Sequence, residues 1–161
     1  MQFSESVKTC FKKYVVFRGR ASRSEFWWFT LFTSIASLAL SFIETVVFSD
    51  TLGNIEPFGA VFSLATILPT IAVGARRLHD VNRSGWWQLF PIVPGILMGV
   101  FMVSGQLGGE SNGLWFIGAV VAGLCVAVVF ILIIVWFAKV GTKGINRYGE
   151  DPLGDYLAVF D

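Results

Sequence analysis

Charged residues, and the side chains that build catalytic or metal centres, are scarce in this chain. Only 14% of its 161 residues are charged, whereas soluble domains carry about 25%. It has a single histidine, His79, and two cysteines, Cys10 and Cys125, which are not spaced as metal ligands or as disulfide partners. The composition therefore disfavours a soluble domain with a large water-facing surface, and we expect neither a metal ion nor a cofactor.

Basic residues are absent from two of the gaps between the apolar runs. All twelve Lys and Arg fall in the segments 8–23, 76–83 and 139–147, whereas the gaps 49–56 and 105–113 contain only acidic charges. Because cytoplasmic loops retain Lys and Arg, this alternation predicts that both termini are cytoplasmic. The basic residues are balanced by acids and border apolar runs, so we expect no binding to nucleic acid.

Four apolar windows are long enough to cross a bilayer, since a spanning helix needs roughly 17–25 residues. The windows are residues 26–48, 57–74, 86–104 and 114–138, preceded by residues 1–25 and followed by a tail at residues 139–161. The chain is 55% hydrophobic and has a mean hydropathy of +0.69. We therefore expect an all-α polytopic membrane protein, a single membrane domain in which four transmembrane helices pack as a bundle.

An amphipathic helix is predicted ahead of the first window. Its apolar face consists of Phe3, Val7, Cys10, Phe11 and Tyr14, which recur at helical spacing. A helix of this kind suits the membrane interface. Ser22 and Glu25 have the spacing of a capping box, which predicts that the first transmembrane helix begins at this point.

Hydroxyl and small residues recur at steps of three or four along the first two windows. They are Thr30, Ser34, Ser37, Ser41 and Thr45 in the first window and Gly59, Ser63, Thr66, Thr70 and Gly74 in the second. One interpretation is close helix packing, which such residues permit in lipid. The other is a polar path toward Glu44, the one charged residue inside the windows and a candidate intramembrane acid. A small transporter or channel is therefore an open alternative, and a homo-oligomer would supply further helices around a path.

Seven arginines lie in the three basic segments that border the predicted helices, and they are candidates for a binding site. They are Arg18, Arg20, Arg23, Arg76, Arg77, Arg83 and Arg147, with His79 and Asp80 in the same central segment. Guanidinium groups bind phosphate in a bidentate manner, so we predict a non-enzymatic protein that binds anionic membrane lipids or a membrane partner protein. Retention of positive charge on one side of the membrane explains the same arginines without a site. An interfacial lipid-modifying enzyme using His79 and Asp80 ranks last, because no nucleophile accompanies them.

Three segments of the chain resemble the motifs of a known family. They are FRGRASRSEFWW at residues 17–28, RRLHD and NRSGWW within residues 76–87, and GINRYG and DP within residues 144–152. In this order they resemble the bacterial inner-membrane family catalogued as domain of unknown function 805, over about residues 10–152. The resemblance implies a small multi-pass protein of the bacterial cytoplasmic (inner) membrane, with no established activity, cofactor or catalytic residue. It also implies that the three motifs meet on one membrane face and form a single site.

Overall fold

The computed structural model describes residues 1–52, 57–107 and 113–154, and the side chains of residues 1–46, 57–106 and 113–154. Within these ranges the regular structure is helical, which confirms the predicted all-α class. The α-helices are α1 (Phe3–Lys12), α2 (Arg23–Leu52), α3 (Pro57–Asp80), α4 (Ile92–Leu107) and α5 (Gly113–Ala138), with a short 3-10 helix at Gly85–Leu89. The acidic side chains of Asp50, Glu56 and Glu110, which mark the two predicted outer gaps, lie outside the described residues.

Four helical segments are long and apolar enough to cross a membrane, as predicted. They are Arg23–Val46, Pro57–Asp80, Gly85–Gln106 and Gly113–Ala138. The second segment continues six residues beyond the predicted end at Gly74. The charged side chains of this extra stretch are buried and paired inside the protein, so the helix does not have to end before them.

The chain divides into two compact units. The first contains residues 1–85 together with the described residues from 140 onward, and the second contains residues 86–139. Helices α1, α2 and α3 pack against one another in the first unit, and α4 packs against α5 in the second. The expectation of a single domain with one four-helix bundle stays a prediction.

Helix α1 packs along the first turns of α2. The rings of Phe3 and Trp28 lie 5.7 Å apart, and the ring of Phe11 lies 5.5 Å from that of Phe29. Cys10, on the same face of α1, is fully buried. The apolar face predicted for this helix is therefore partly covered by α2, and Phe3 and Phe11 also keep exposed surface.

Small residues of α5 make the close helix contact in the second unit. A Cβ placed on Gly118 would lie 2.9 Å from the ring of Phe101 on α4, and Ala119 and Ala122 are buried. By contrast, no described atom lies within 4 Å of a Cβ placed on Gly95 or Gly99. The close approach of α4 and α5 thus depends on the small residues of α5.

Candidate functional site: a buried cluster of arginines and carboxylates

The three sequence motifs meet at one end of the first unit. The N–H of Ala21, just before α2, donates to the carbonyl of Arg76 at 3.0 Å. The N–H of Thr142, after α5, donates to the carbonyl of Asp80 at 2.9 Å. The end of α3 therefore holds both the segment before α2 and the C-terminal segment, and residues from each of the three motifs form one folded cluster within the first unit.

Arg76 is buried and joins α3 to α2 and to the end of α1. Its Nη2 donates to Glu25 Oε1 at 2.8 Å, and both side chains are almost inaccessible to water. Its Nη1 donates to the carbonyls of Val16 at 3.1 Å and Lys13 at 3.5 Å. Its Nε is buried without a hydrogen-bond partner among the described residues. This guanidinium therefore acts inside the protein and is not presented to an external anion.

Asp80 at the end of α3 pairs with two further arginines. Arg20 Nε and Nη2 lie 2.9 and 2.8 Å from Asp80 Oδ1, and Arg77 Nη1 donates to Oδ2. All three side chains are buried. Ionic hydrogen bonds of this kind are stronger than neutral ones, so Asp80 ties the segment before α2 to α3.

Arg20 also binds the C-terminal segment through backbone carbonyls. Its Nη1 donates to the carbonyl of Gly144 at 2.5 Å and that of Gly149 at 3.4 Å, and its Nη2 donates to the carbonyl of Thr142. The carboxylate of Asp151 lies 3.9 Å from the same Nη2. A single buried side chain thus holds the turn at 142–149 in place.

His79 contacts all three motifs, but it does not pair with Asp80. Its Nδ1 lies 3.0 Å from the carbonyl of Gly19, which only accepts, so Nδ1 carries the proton. Its ring stacks on that of Tyr148 with 4.0 Å between centroids and 5° between planes, and its carbonyl accepts from Asn146 Nδ2 at 3.0 Å. The two side chains proposed for an acid–base role therefore bind separate partners.

The remaining predicted arginines lie on the surface of the same cluster. Arg18, Arg23, Arg83 and Arg147 are all exposed. Arg147 Nη2 donates to the carbonyl of Asn82 at 3.0 Å, and its guanidinium lies 4.7 Å from the centre of the Tyr148 ring. The side chains of Arg18 and Arg23 make no hydrogen bond or ion pair with any residue that the structure describes. The seven arginines thus separate into a buried set of three and an exposed set of four.

Glu44 lies at the opposite end of the first unit and caps α3. Its carboxylate is buried and accepts hydrogen bonds from the N–H groups of Phe58 at 2.5 Å and Gly59 at 3.2 Å. These donors are among the N–H groups that the start of a helix leaves without an intrahelical partner, and Pro57 before them has none to offer. Glu44 therefore stabilises the start of α3, while its role as an intramembrane acid stays a prediction.

A hydroxyl-lined groove of about 450 Å³ runs between α2 and α3. Its polar lining consists of Thr33, Ser34, Ser37, Ser63, Thr66 and Thr70. Thr33 Oγ1 and Thr66 Oγ1 donate to carbonyls one turn earlier in their own helices. Two of the hydroxyls are therefore satisfied locally, which is how Thr is accommodated in a membrane helix.

Cys10 is buried beside Glu25. Its thiol donates to Glu25 Oε1 at 3.9 Å. Burial, reinforced by the charge of Glu25, raises the pKa of this thiol to about 12, so it stays protonated at neutral pH. In the part of the chain that the structure describes, no group of three His, Cys, Asp or Glu side chains is placed to hold a metal ion.

Sequence reasoning did not identify Glu25 as a site residue. The N–H of Glu25 donates to Ser22 Oγ at 3.2 Å, which is one of the two hydrogen bonds of the predicted capping box. Its carboxylate pairs with Arg76 on α3. A capping motif is visible in the sequence because its two members are three residues apart, whereas Glu25 and Arg76 are 51 residues apart. The one available signal was an acidic residue immediately before an apolar window.

The architecture and the buried ionic cluster define a multi-pass integral membrane protein. The family model described as "Protein of unknown function (DUF805)" matches residues 14–150, and the chain belongs to this family. "Inner membrane protein YhaI" of Escherichia coli (strain K12) is 35% identical over 142 residues, which cover 88% of this chain and 89% of that protein. "Inner membrane protein YhaH" of the same strain is 32% identical over 141 residues, 88% of this chain and 90% of that protein.

A third relative, "Uncharacterized protein YiiR" of Escherichia coli (strain K12), is 34% identical over 142 residues and 84% of each chain. No solved structure matches the chain. Together with the four apolar helices, these relatives support a multi-pass protein of the inner membrane. The names of the family and of the relatives state no activity.

Proposed function

We propose that this protein is a non-enzymatic membrane protein whose exposed arginines bind anionic lipid headgroups at the side where α2 begins. The observation that carries the proposal is an excess of positive charge in one folded cluster. Its three buried arginines face two buried carboxylates, Glu25 and Asp80, and the less buried Asp151 lies 3.9 Å from Arg20. Four further arginines of the three motifs are exposed, so the cluster carries more cations than carboxylates and attracts anions.

The buried and exposed arginines have different tasks in this proposal. Arg20, Arg76 and Arg77 hold the three motifs together through carboxylates and backbone carbonyls. Arg18 and Arg23, which make no ion pair with a described residue, supply cations to an external ligand. A guanidinium fork matches a phosphate in geometry as well as charge, and each cation near an anionic leaflet gains roughly 1 kcal/mol even without a specific site.

The exposed pair Arg18 and Arg23 is therefore the point at which to test the proposal. The Arg18→Gln/Arg23→Gln variant and the wild type would be purified in mild detergent, and co-purifying phosphatidylglycerol and cardiolipin would be measured by mass spectrometry. We expect the variant to retain several-fold less anionic lipid. Neither side chain contributes to the buried pairs, so the variant is expected to fold.

A matched variant distinguishes a site from general charge. Lys8→Gln/Lys143→Gln removes the same number of exposed cations from other positions of the first unit, and we expect it to retain anionic lipid like the wild type. Equal loss in both double variants, or loss in neither, would overturn the proposed site. If lipid retention is unchanged but a co-purifying protein is lost with Arg18 and Arg23, the ligand is a partner protein.

The proposed site is cytoplasmic if both termini are inside the cell. The one-sided distribution of Lys and Arg supports this orientation. An impermeant maleimide applied to intact cells is expected to label a cysteine introduced in the gap 105–113 and not one introduced at Lys143. The reverse pattern would place the arginine cluster on the outside.

A second candidate function, transport along the groove between α2 and α3, is favoured by the hydroxyl lining of that groove. Two helices do not enclose a path, so this function requires further helices, from this chain or from a homo-oligomer. Ser37→Ala/Ser63→Ala would lower flux in reconstituted vesicles if the groove conducts a solute. Equal flux in the double variant and in the wild type, or no flux of any ion or metabolite tested, would count against transport.

A further inference from the structure

The end of α1 lies well inside the segment that α2 uses to cross the membrane. The ring of Phe11 packs 5.5 Å from that of Phe29 and 6.0 Å from that of Phe32. Phe29 and Phe32 follow the start of α2 at Arg23 by six and nine positions. At a rise of 1.5 Å per residue they lie about 9 and 13 Å along the helix axis. Trp27 and Trp28, which favour the headgroup level, come before both of them.

Tyr14, two residues after α1, reaches into α3. Its hydroxyl donates to the carbonyl of Ala65 at 2.5 Å, fifteen residues before α3 ends at Asp80. That carbonyl has no helical donor, because the residue four positions later is Pro69, which carries no N–H. A carbonyl inside a membrane must find a donor within the protein, and Tyr14 supplies it. The hydroxyl of Tyr14 therefore lies at the depth of a transmembrane helix interior.

Part of the irregular backbone after α1 is satisfied by protein groups. Arg76 Nη1 donates to the carbonyls of Lys13 and Val16, at 3.5 and 3.1 Å. The N–H of Val16 also donates to the carbonyl of Lys13 at 3.1 Å. Non-helical backbone is tolerated at membrane depth only where protein groups satisfy it. A buried arginine thus permits the chain to turn back at this point.

The outer surface of the same turn is apolar. Val15, Val16 and Phe17 are consecutive and expose 60%, 43% and 39% of their surface. Their neighbours Lys13 and Arg18 are exposed cations. Three adjacent apolar side chains turned to water would be unfavourable, whereas the boundary between headgroups and acyl chains accepts apolar residues flanked by basic ones. Charge and exposure together favour lipid as the occupant of this surface.

We propose that residues 11–18 form a short re-entrant segment in the leaflet where α2 begins, with acyl chains against Val15, Val16 and Phe17 and lipid phosphates against the neighbouring cations. The segment enters along α1, turns at Tyr14 and returns to the interface before α2. This proposal requires membrane insertion of α2 and α3. It does not require that Arg18 and Arg23 form a specific headgroup site, nor that this leaflet is cytoplasmic.

Spin-label accessibility in lipid nanodiscs tests the depth of the turn. Single cysteines at Val15 and Phe17, in a Cys10→Ala/Cys125→Ser background, would be labelled and their collision rates with oxygen and with a water-soluble nickel chelate compared. Position Leu38, 71% exposed on α2, serves as the lipid-facing reference, and Ile145, 80% exposed in the C-terminal segment, as the water-facing one.

Labels at the turn are expected to favour collision with oxygen over nickel, as at Leu38. Nickel accessibility equal to that at Ile145 would overturn the proposal. Circular dichroism of each labelled protein checks that its helices are intact.

A second measurement uses the wild-type chain, so no variant has to fold. The protein would be irradiated in nanodiscs that contain phosphatidylglycerol with a diazirine in its acyl chain, then digested with trypsin. Lipid adducts are expected on the peptide of residues 14–18 and not on the peptide of residues 144–147. Peptide 14–18 without adducts, beside a labelled peptide 24–76, which contains α2, would contradict the re-entrant segment while leaving the proposed headgroup site untouched.

Discussion

Gly141 lies directly against the carboxylate of Asp80. A Cβ placed on Gly141 would stand 2.6 Å from Cγ of Asp80 and 2.8 Å from its Oδ1. Those carboxylate oxygens already pair with Arg20 and Arg77, so the carboxylate cannot move aside without losing an ion pair. The C-terminal segment therefore reaches the end of α3 only because residue 141 has no side chain.

Gly141→Ala is expected to detach the C-terminal segment from the cluster. The added methyl group displaces either Asp80 or the backbone that carries Thr142, and the arginine bonds to the carbonyls of the turn are lost. Tryptic cleavage after Lys143 and Arg147 should become several-fold faster than in the wild type. Gly99→Ala is the control, because a Cβ there meets nothing within 4 Å; cleavage rates that match between the two variants would show that the contact is unimportant.

Arg76 and Glu25 are expected to depend strongly on each other. Removing one partner leaves the other charge buried and unpaired, which costs about 3–5 kcal/mol. Arg76→Met and Glu25→Met should each lower the free energy of unfolding by that amount in denaturant titrations in detergent. The double variant should lose less than the sum of the two single losses. Strictly additive losses would mean that the pair is not formed.

Tyr14→Phe is expected to leave the carbonyl of Ala65 without a donor. An unsatisfied buried acceptor costs about 1–3 kcal/mol, and the thermal midpoint in detergent should fall accordingly. In a Pro69→Ala background the restored N–H can donate to Ala65, so there Tyr14→Phe should cost under about 1 kcal/mol. Tyr148→Phe removes a hydroxyl with no described partner and should change little. An equal effect of Tyr14→Phe in both backgrounds would contradict this account.

Glu44→Ala and Glu44→Gln separate a capping role from a charge role. Gln keeps an oxygen that accepts from the N–H groups of Phe58 and Gly59, whereas Ala does not. Loss of a helix cap costs about 0.5–2 kcal/mol, so only Glu44→Ala should be clearly destabilised in thermal unfolding. Glu150→Ala, on the exposed C-terminal segment, serves as the neutral control. Equal destabilisation by Ala and Gln would show that the negative charge itself is needed.

Cys10 is expected to resist alkylation and to weaken the fold at high pH. Burial raises the pKa of its thiol from 9.0 to about 12, so the folded state favours the protonated form. This contribution is fully present below pH 9.0 and is lost as the pH rises toward about 12.

In a Cys125→Ser background, maleimide should leave Cys10 unmodified at pH 7–8 unless the protein is unfolded in about 1% SDS. Between pH 9 and pH 12 the free energy of unfolding of the Cys125→Ser protein should fall more steeply than that of the same protein with Cys10→Ala added. Rapid labelling of the folded protein would contradict the burial of this thiol.

The sequence predicts which residues make up the site, but it does not predict which arginine pairs with which carboxylate. The arginines of the three motifs and their common location follow from charge patterning and from the order of the apolar windows. Nothing in the sequence distinguishes Arg77, which is buried against Asp80, from Arg83, which is exposed six residues later. Burial depends on which face of α3 meets the segment before α2, and a local pattern does not contain that information.

The sequence by itself determined four apolar helices, and it predicts the side of the membrane on which the basic residues gather. Hydropathy and charge are local properties, and the bilayer acts on each segment almost independently. Only the tertiary structure decided which guanidinium groups form ion pairs with Glu25 and Asp80, and which acidic residue caps α3. Those outcomes join residues far apart in the chain, where the low polarity of the protein interior makes each ionic group depend on one partner.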